Sequence, residues 1–491
     1  MRSKMVILLL PILFFISVAS AAVAVDRGDR TYDVIIVGGG IAGLTAAFSL
    51  ADYDLLLLEK EKQVGGRATS GQYQGISYAR GTEYLGKPEA PLAEIISTLG
   101  LTLREIPAPA DVVSHRGRMF FGDYGKARLL IDNSSLGGFN RFAEKILTAY
   151  EDYDDIPDTV LRGELQRLDT ITARQWFAEN SFAPIYSDIY NVTFRGLFGA
   201  NIDEISALSA LPELAFDFEG FERLDEDDDL AEEYKDDRNS TGMYSFDRGI
   251  AEIPLAIASH LGDRLRTGTT VTAVERTGDL FAVTCAQAGN TRITYRAKAV
   301  ILATPSAITL NIAGGVLGEE QRQILGSVSY APYVTIALFS EAPIFNQAFD
   351  LAVPDGLLFT DIYDATWIAR HFNAKANTQQ SWVTLLYVAP VSYRNTALLS
   401  MQDQELMSTA LTQLDRILPG SSGLIKKWEI TRFRYGYPVM TPGSYQRMTR
   451  LQAITGGGLY LAGDYLVYPT FEAAASSGQL AARRVMDWFE D

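Results

Sequence analysis

Three glycines and one glutamate are spaced so that they could bind a dinucleotide. Gly38, Gly40 and Gly43 follow the GxGxxG pattern, and Glu59 lies 21 positions after Gly38. The first glycine of such a pattern permits a tight turn, the second lets a pyrophosphate approach the backbone, and the third lets a helix pack closely on a strand. The carboxylate can accept hydrogen bonds from an adenosine ribose. By themselves these residues fit NAD or FAD, because both present the same pyrophosphate and ribose.

The elements that would position these residues lie on either side of them. A β-branched run, Tyr32 to Val37, predicts a strand that leads into the first glycine, and a second apolar run, Leu55 to Leu58, predicts a strand that ends at the glutamate. The Ala-rich stretch between them predicts a helix whose first residues, Ile41 and Ala42, would turn free N–H groups towards the phosphates. Strand, glycine turn, helix, strand and acid therefore follow the order of a dinucleotide-binding unit.

Two further sets of residues could add to a phosphate site. Gly65, Gly66 and Arg67 come one short loop after Glu59. A glycine pair can bring backbone close to a pyrophosphate, and an arginine beside it supplies a fixed cation.

The second of these sets lies near the C-terminus. A predicted strand, Leu459 to Ala462, delivers Gly463 and Asp464, and a helix is predicted to begin near Thr470 with small residues from Ala473 to Gly478. Small residues at a helix start let the backbone approach a ligand, and the N–H groups there can stabilise its negative charge.

Together these segments resemble the flavin-containing amine oxidase superfamily, which includes monoamine and polyamine oxidases, L-amino acid oxidases and, more distantly, phytoene desaturases and protoporphyrinogen oxidase. The resemblance covers most of the chain, with specific motifs at its two ends and loose similarity between them. It implies that the cofactor is FAD. The positions that match the FAD-binding residues of the family are Gly38, Gly40, Ile41, Ala42, Gly43, Glu59, Gly66, Arg67, Val271, Gly463, Asp464 and Phe471.

The resemblance also implies individual roles for some of these residues. Arg67 would contact FAD, Val271 would meet the adenine through its backbone, and Asp464 would contact the ribityl or pyrophosphate end of the cofactor. Because no cysteine stands near the flavin segment, Gly456 to Tyr465, we expect FAD to be bound non-covalently.

The chain departs from the family pattern at the substrate site. Many of the amine oxidases carry a lysine that holds a water near flavin N5, and the corresponding strand, Ser329 to Phe339, contains none. That absence fits the desaturase and protoporphyrinogen oxidase members. Tyr435 or Tyr437 could form one wall of the aromatic pair of monoamine oxidases, but Thr470 stands at the usual second position and resembles polyamine and lysine-demethylating members. Tyr435, Tyr437 and Thr470 are the candidate catalytic residues.

The composition excludes several other functions. The formal net charge of -17 argues against nucleic acid as a partner, because a phosphate backbone needs clustered Lys and Arg. Cys285 is the one cysteine, and the histidines are only His115, His260 and His371, so we expect no disulfide and no metal site.

The predicted fold class is α/β: a Rossmann-like FAD-binding domain, discontinuous in sequence, with an α+β substrate-binding domain. We assign residues 31–86, 242–305 and 450–491 to the first domain, and residues 87–241 and 306–449 to the second. The hairpin and buried strand between 269 and 305 mark the return of the chain to the nucleotide domain.

The two segments of the substrate domain differ in pattern. Helical stretches such as Phe139 to Tyr150 and Thr172 to Asn180 predict a mostly helical insertion that covers the flavin. The later segment predicts strands, including one over Trp367 to Phe372. Its aromatic residues would suit either a pocket wall facing the flavin or simple core packing. These residues are Trp428, Phe433, Tyr435 and Tyr437.

An acidic run, Phe216 to Asp237, interrupts the helical segment. Such a run usually forms a solvated loop, although it could also form a charged lip that attracts cations such as polyamines to the substrate site. Phe216, Phe218 and Phe221 suggest that one end of the run is packed.

The N-terminal residues 1–25 predict a signal peptide or a membrane anchor. Arg2 and Lys4 precede an apolar run that ends in small residues, as in a secretory signal. The run is also long enough to span a bilayer if it is not cleaved. We therefore expect a secreted, periplasmic or lumenal protein, with a membrane as partner only if the segment remains.

These observations predict a FAD-dependent oxidoreductase that transfers a hydride from a small-molecule amine or amino acid to flavin N5, with O2 as the expected acceptor and H2O2 as the product. One alternative is desaturation of an apolar isoprenoid or polycyclic substrate. Another is a flavin-binding structural or interaction protein without turnover. The sequence does not indicate an oligomeric state.

Overall fold

The structure is a computed structural model that describes residues 30–235, 241–286, 292–373 and 380–491. The predicted N-terminal signal or anchor, residues 1–25, lies outside these ranges. The strands are β1 (Thr31–Val37), β2 (Leu55–Leu58), β3 (Ser70–Tyr73), β4 (Ile76–Ala79), β5 (Arg104–Glu105), β6 (Asp111–His115), β7 (Arg118–Phe121), β8 (Tyr244–Ser245), β9 (Leu265–Arg266), β10 (Thr270–Thr277), β11 (Leu280–Ala286), β12 (Arg292–Leu302), β13 (Tyr330–Ser340), β14 (Asp350–Ala352), β15 (Phe359–Asp364), β16 (Trp382–Val388), β17 (Ile425–Pro438) and β18 (Leu459–Leu461). The helices are α1 (Ile41–Ser49), α2 (Leu92–Thr98), α3 (Gly122–Asp132), α4 (Leu136–Tyr150), α5 (Gly163–Thr170), α6 (Ala173–Glu179), α7 (Pro184–Phe198), α8 (Ala207–Phe216), α9 (Leu230–Glu233), α10 (Glu252–Leu261), α11 (Ser306–Ala313), α12 (Glu319–Ser327), α13 (Trp367–Phe372), α14 (Asp403–Ile417), α15 (Ser444–Ala453) and α16 (Phe471–Glu490).

The first sheet has a parallel centre. Its strand order is β10-β11-β12-β1-β2-β9, with β18 also paired to β12. Strands β18, β12, β1, β2 and β9 pair in parallel, whereas β10 and β11 add antiparallel pairs at one edge. Strand β2 is four leucines, all buried, because apolar side chains cover both faces of the sheet.

Parallel pairing brings the carboxyl ends of four strands to one edge of this sheet. The residues that follow β1, β2, β12 and β18 therefore come close together, and they include Gly38, Glu59, Ala303 and Gly463. In open parallel sheets ligands bind at this edge.

The second sheet is mainly antiparallel, in the order β17-β13-β16-β15-β14-β6-β7. On one face of this sheet, aliphatic side chains pack against helix α14, whose buried residues there include Leu406 and Leu414. The other face carries aromatic side chains, among them Tyr333, Tyr363 and Tyr387. This aromatic face is the one that borders the cavity described below.

Helices α3 to α8 form a third layer with an aromatic core. The Phe142 ring lies 4.0 Å from that of Tyr186 and 4.7 Å from that of Phe182. The helices expected near 139–150 and 172–180 are confirmed as α4 and α6. The segment also contains β5, β6 and β7, which were not predicted, and β6 joins the second sheet beside β14.

The predicted strand over Trp367 to Phe372 is wrong, because these residues form helix α13. Thr366 N donates to Asp364 Oδ1 at 2.9 Å, which turns the chain out of β15. Within the helix, the rings of Trp367 and His371 are in contact, with centroids 4.6 Å apart and their planes tilted by 46°. These two residues are four positions apart, the spacing that brings side chains together on one face of a helix.

The acidic run is described as far as residue 235 and is packed at one end. Phe218 is buried, and its ring contacts those of Phe139 and Phe221. Phe216 is 59% exposed and does not take part in this packing.

In the part of the chain that the structure describes, no helix has both the length and the apolar character that crossing a membrane requires.

Candidate functional site

Close packing requires glycine at Gly38 and Gly43 of the glycine turn, whereas Gly40 of the same turn faces open space. A Cβ on Gly38 would lie 2.4 Å from Ala303 O, and one on Gly43 would lie 2.0 Å from Gly38 O. A Cβ on Gly40 would meet no atom within 4 Å, although its φ of -72° and ψ of 174° are open to any residue. The space beside Gly40 is therefore available to a ligand that must approach the backbone closely.

Helix α1 begins directly after this space. No side chain caps its N-terminus, and its first turn carries no acidic residue. An anion beside this turn would therefore meet the partial positive charge of the helix N-terminus, with neither a capping side chain nor an acidic residue in competition. The same helix packs closely on α16, since a Cβ on Gly478 would lie 2.0 Å from Ala42 O.

Glu59 connects the glycine turn to the neighbouring strand. Its Oε2 accepts a hydrogen bond from Gly39 N at 2.6 Å, and its Oε1 accepts one from Glu61 N at 2.8 Å. Its carbonyl accepts from Thr269 N at 2.9 Å, which places the start of β10 and Val271 nearby. Because each carboxylate oxygen can accept a second hydrogen bond, Glu59 can still hold ribose hydroxyls.

Arg67 joins the first motif to the last. Its Nη1 lies 2.7 Å from Asp464 Oδ2 and 2.7 Å from Gly436 O. Gly463 N donates to Ser477 Oγ at 2.8 Å, which fixes this turn to α16. Gly66 lies beside Gly40, since its Cβ would be 3.5 Å from the Gly40 Cα. The donors, the open space and the cation fit a pyrophosphate cofactor such as FAD.

Cys285 stands opposite Val271 in the β10–β11 pair. Its side chain is fully buried, and burial raises the pKa of the thiol to about 12. It is therefore protonated and enclosed, as a structural cysteine is.

A cavity of about 1800 Å³ lies between the aromatic face of the second sheet, the helical layer and the start of α16. Among the described residues, twelve carboxylate side chains line it, against only three lysines and arginines, Arg116, Lys126 and Arg416. The carboxylates are Glu83, Asp111, Asp123, Asp155, Asp188, Glu213, Asp217, Glu219, Asp350, Asp355, Asp361 and Glu472. Lys126 is already paired with Asp217.

Tyrosine rings form part of the same wall. The Tyr333 ring lies 5.1 Å from that of Tyr437 and 5.9 Å from that of Tyr387, and the Tyr363 ring lies 4.8 Å from that of Tyr387. The faces of such rings attract cations. Acid and aromatic side chains together favour a cationic ligand.

Burial raises the pKa of several cavity carboxyls into the neutral range. The pKa is about 8 for Glu83, about 7 for Glu213 and about 6 for Asp361. Burial and the nearby charges of Asp361 and Asp111 raise the pKa of Asp350 well above its usual value. Such groups become ionised readily when a cation enters.

The structure separates the three candidate catalytic residues. Tyr437 and Thr470 line the cavity, as does Phe471. Thr470 also caps α16, since its Oγ1 accepts from Ala473 N at 3.1 Å. Tyr435 does not line it.

Among the described residues that line the cavity, Tyr437 is the only one of the four β17 aromatics, and the flavin-facing wall stays a prediction. A bulge between residues 433 and 437 shifts the register against β13. Tyr435 packs edge to face on Tyr330, with centroids 5.2 Å apart, on the side of Arg67 and Asp464. Trp428 packs in the aliphatic core beside α14.

Several cavity residues were not anticipated from sequence, most clearly Glu83, Glu213, Asp361 and Tyr387. The signal for Glu83 was a carboxylate within the glycine- and aromatic-containing stretch Ile76 to Gly86, directly after the Arg67 motif. For the others there was no local signal, because distant segments bring them together.

Comparison with known proteins gives a consistent result. Residues 41–486 match a family described as flavin containing amine oxidoreductase. A protein of Mycobacterium tuberculosis named as the flavin-containing monoamine oxidase AofH is 27% identical over 350 residues, which cover 66% of this chain and 71% of that protein. The carotenoid 3,4-desaturase of Haloarcula japonica is 32% identical over 124 residues, or 25% of each chain.

Among solved structures, a triple mutant of putrescine oxidase with redesigned cofactor binding superposes with a TM-score of 0.72. The two share 19% sequence identity over 93% of this chain and 99% of that one. A likeness at this identity shows a common fold.

Proposed function

This chain belongs to the flavin-containing amine oxidoreductase family, and on that premise we propose that it is an oxidase of small cationic amines. It is a FAD-dependent oxidoreductase, as the family implies. The finer proposal names the substrate class, the electron acceptor, and the segments of the chain that bind the cofactor and the substrate.

The parallel sheet with α1 and α16 is proposed as a Rossmann-like FAD-binding domain built from residues 31–86, 242–305 and 450–491. All seven strands of that sheet come from these segments. The strands of the second sheet come from residues 87–241 and 306–449, the proposed substrate-binding domain.

Non-covalent FAD would be held by the twelve residues named from the sequence, with the pyrophosphate beside Gly40 and the α1 N-terminus. When bound, FAD supplies a hydride acceptor and passes the electrons on, here to O2 with release of H2O2. The protein's own tasks are to hold the substrate in position, exclude bulk water and manage the charge of the amine.

The acid-rich lining of the cavity carries the proposal. A carboxylate enclosed by protein loses its hydration, and an ammonium group restores a counterion and hydrogen-bond donors to it. Tyrosine faces add attraction for the same cation. An amine, protonated at neutral pH, satisfies this lining, whereas a hydrocarbon would supply no counterion to a cavity acid such as Glu83, with which no described lysine or arginine pairs.

Two observations favour a substrate with more than one ammonium. Phe216, Asp217, Glu219 and Tyr234, which belong to the acidic run, also line the cavity and would act as the charged lip considered above. One structural neighbour is named as a putrescine oxidase, an enzyme whose name denotes a diamine.

Oxidation of a substrate panel tests this function. We expect diamines and polyamines to give H2O2 at the highest kcat/KM, simple monoamines less, and amino acids least, because a substrate carboxylate would face the acidic wall. Equal turnover of amino acids and diamines would contradict the cationic specificity.

Desaturation of an apolar substrate is the second candidate. It is favoured by the lack of lysine in β13 and by the partial match to a carotenoid desaturase. Flavin reduction by a polyene, without reaction of any amine, would establish it instead. FAD binding with no reduction by either class would indicate a protein without turnover.

A further inference from the structure

Glu83 lies at the junction of the cofactor site and the substrate cavity. The segment that carries it is tied at one end to Arg67, whose carbonyl accepts from Thr82 N at 3.1 Å. At the other end Gly86 N donates to Glu472 Oε1 at 2.9 Å, beside the start of α16. Glu83 itself lines the cavity between these two anchors.

The contacts of the Glu83 carboxyl leave it without a dedicated donor. Tyr387 Oη lies 3.2 Å from Glu83 Oε2 and is also hydrogen-bonded to the Gly81 carbonyl. A tyrosine hydroxyl carries one proton, and a carbonyl can only accept. Both contacts are satisfied together when Glu83 is protonated and donates to Tyr387, while Tyr387 donates to Gly81.

The surrounding charges reinforce this preference. Among the described residues, no lysine or arginine forms an ion pair with Glu83. Burial raises the pKa of Glu83 to about 8, and the charge of Asp364 at the end of β15 raises it further. Tyr387 of β16 lowers this pKa only when its one proton is donated to Glu83 and not to the Gly81 carbonyl. Tyr333 and Tyr437 face Tyr387 and stay neutral, since burial raises the pKa of both.

We propose that Glu83 is a catalytic residue that takes a proton from the substrate ammonium, with Tyr387 as its positioning residue. This inference rests on the proposed amine oxidation. It concerns a residue for which neither the motifs nor the comparisons supply a role.

The step balances as a proton transfer. The substrate enters as R–CH2–NH3⁺ and pairs with the Glu83 carboxylate, which gains the donor that the protein lacks there. An N–H bond breaks, an O–H bond forms on Glu83, and the nitrogen keeps the freed electron pair. The neutral amine has the lone pair needed to stabilise the iminium product, and FAD, when bound, would supply the acceptor for the hydride lost from carbon. Glu83 later returns its proton to cavity water.

The first test counts protons during binding, without turnover. FAD-loaded protein is titrated at pH 7 with tert-butylamine, which has no hydrogen on the carbon that bears nitrogen, in two buffers of different ionisation heat. Because Glu83 is mostly protonated before binding and ionised beside the cation, we expect Glu83→Gln to release about one proton fewer per bound amine than wild type. Equal release would overturn the proposal.

The second test follows kcat/KM of an oxidisable diamine against pH, and it applies even where the variant binds tert-butylamine weakly. Wild type should show a limb rising through about pH 8, the pKa of Glu83. Glu83→Gln should lose that limb and react only as the free amine forms, with kcat/KM about 100-fold lower near pH 8. Tyr387→Phe should keep the limb but displace it, because the carboxyl remains and loses its partner.

Glu213→Gln is the matched control. Glu213 is another cavity glutamate with a raised pKa and a tyrosine contact, 3.2 Å from Tyr468 Oη. Its replacement should raise KM but keep the limb near pH 8. If amines reduce the flavin and Glu83→Gln matches Glu213→Gln, the Glu83 inference alone fails. If no amine reduces the flavin of wild type, the proposed function fails and this inference with it.

Discussion

The carboxyl groups of the cavity wall are the residues that best distinguish this site from an ordinary apolar pocket. Glu83, Glu213 and Asp361 are partly buried, and the pKa of each is raised because burial disfavours the charged form. An enclosed acid without a counterion contributes little to stability. We interpret these acids as binding groups whose partner is the substrate.

Glu59 permits a direct test of the cofactor site. Glu59→Ala removes the acceptor for Gly39 N and for the proposed ribose contact, so FAD binding should weaken about 10- to 100-fold, as expected for a charged hydrogen bond. The dissociation constant can be measured by quenching of flavin fluorescence. Glu61→Ala is the control, because the Glu61 side chain is exposed and should leave the constant unchanged. If Glu59→Ala bound FAD as tightly as Glu61→Ala does, the proposed contact of Glu59 with the ribose would be excluded.

The residues differ in how far they could be predicted from sequence. Gly38, Gly43 and Glu59 act through spacing along the chain, and the structure brings them together as expected. Glu83 and Asp361 act through a cavity that several distant segments enclose. Tyr435 was a candidate for the substrate-site wall by resemblance to the family, and next to the bulge in β17 it packs against Tyr330 and does not line the cavity.

At the scale of elements, helix α1 is held between two close approaches. Gly43 touches the turn before the helix, and Gly478 of α16 meets the carbonyl of Ala42. These contacts hold the α1 N-terminus in line with the carboxyl edge of the sheet. The helix is thereby positioned by packing before any cofactor binds.

Substitution of two glycines should separate packing from binding. Gly43→Ala places a Cβ 2.0 Å from Gly38 O and should destabilise the fold by about 1–3 kcal/mol, as overpacking does. The Cβ of Gly40→Ala would meet no protein atom within 4 Å, so the free energy of unfolding should fall by at most about 1 kcal/mol. The same methyl group would fill the space proposed for the pyrophosphate and should weaken FAD binding.

Urea unfolding of the apoprotein and FAD titration measure the two effects. The two variants are controls for each other, because each adds one methyl group to the same turn. If Gly40→Ala bound FAD as wild type does, the open space beside it would not be the pyrophosphate site.

Element prediction succeeded where a periodic pattern was long. Strands β1, β2, β10, β11, β12 and β18 of the first sheet and helices α1, α4 and α16 were anticipated from sequence, whereas the two-residue strand β9 was not. It failed at α13, where a six-residue aromatic segment carried no clear period and the turn at Asp364 determined the outcome. The ribbon β6–β7 was missed because its strands are only five and four residues long.

For the molecule as a whole, the cavity depends on both sheets and on the helical layer together. The motifs at the two chain ends identified the cofactor, since the Arg67–Asp464 pair joins them directly. The middle of the chain encloses the cavity, and of its acidic lining the sequence indicated only the run from Phe216 to Asp237, since the other carboxylates come from separate segments.

Stability should fall as pH rises across the neutral range. The pKa is raised to about 8 in Glu83 and to about 7 in Glu213 and Asp364, whereas in the unfolded chain these groups ionise near pH 4. Between these values the folded protein binds more protons than the unfolded chain, so the free energy of unfolding decreases with pH. The apoprotein should therefore melt at a lower temperature at pH 8.5 than at pH 5.5.

Glu213→Gln should flatten this dependence, because it removes one of the protons that the folded state retains. Thermal melts of both proteins at three pH values measure the slopes. A melting temperature that rises from pH 5.5 to 8.5, or an unchanged slope in the variant, would contradict the assignment of protonated acids in the cavity.

The central claim is that FAD bound to this chain oxidises a cationic amine, and anaerobic titration of the FAD-loaded protein with a diamine tests it most directly. We expect the visible flavin absorbance to bleach in proportion to the diamine added, and to return on admission of O2 with one H2O2 for each flavin reoxidised. A flavin spectrum that no amine changes, while an apolar polyene bleaches it, would contradict the account.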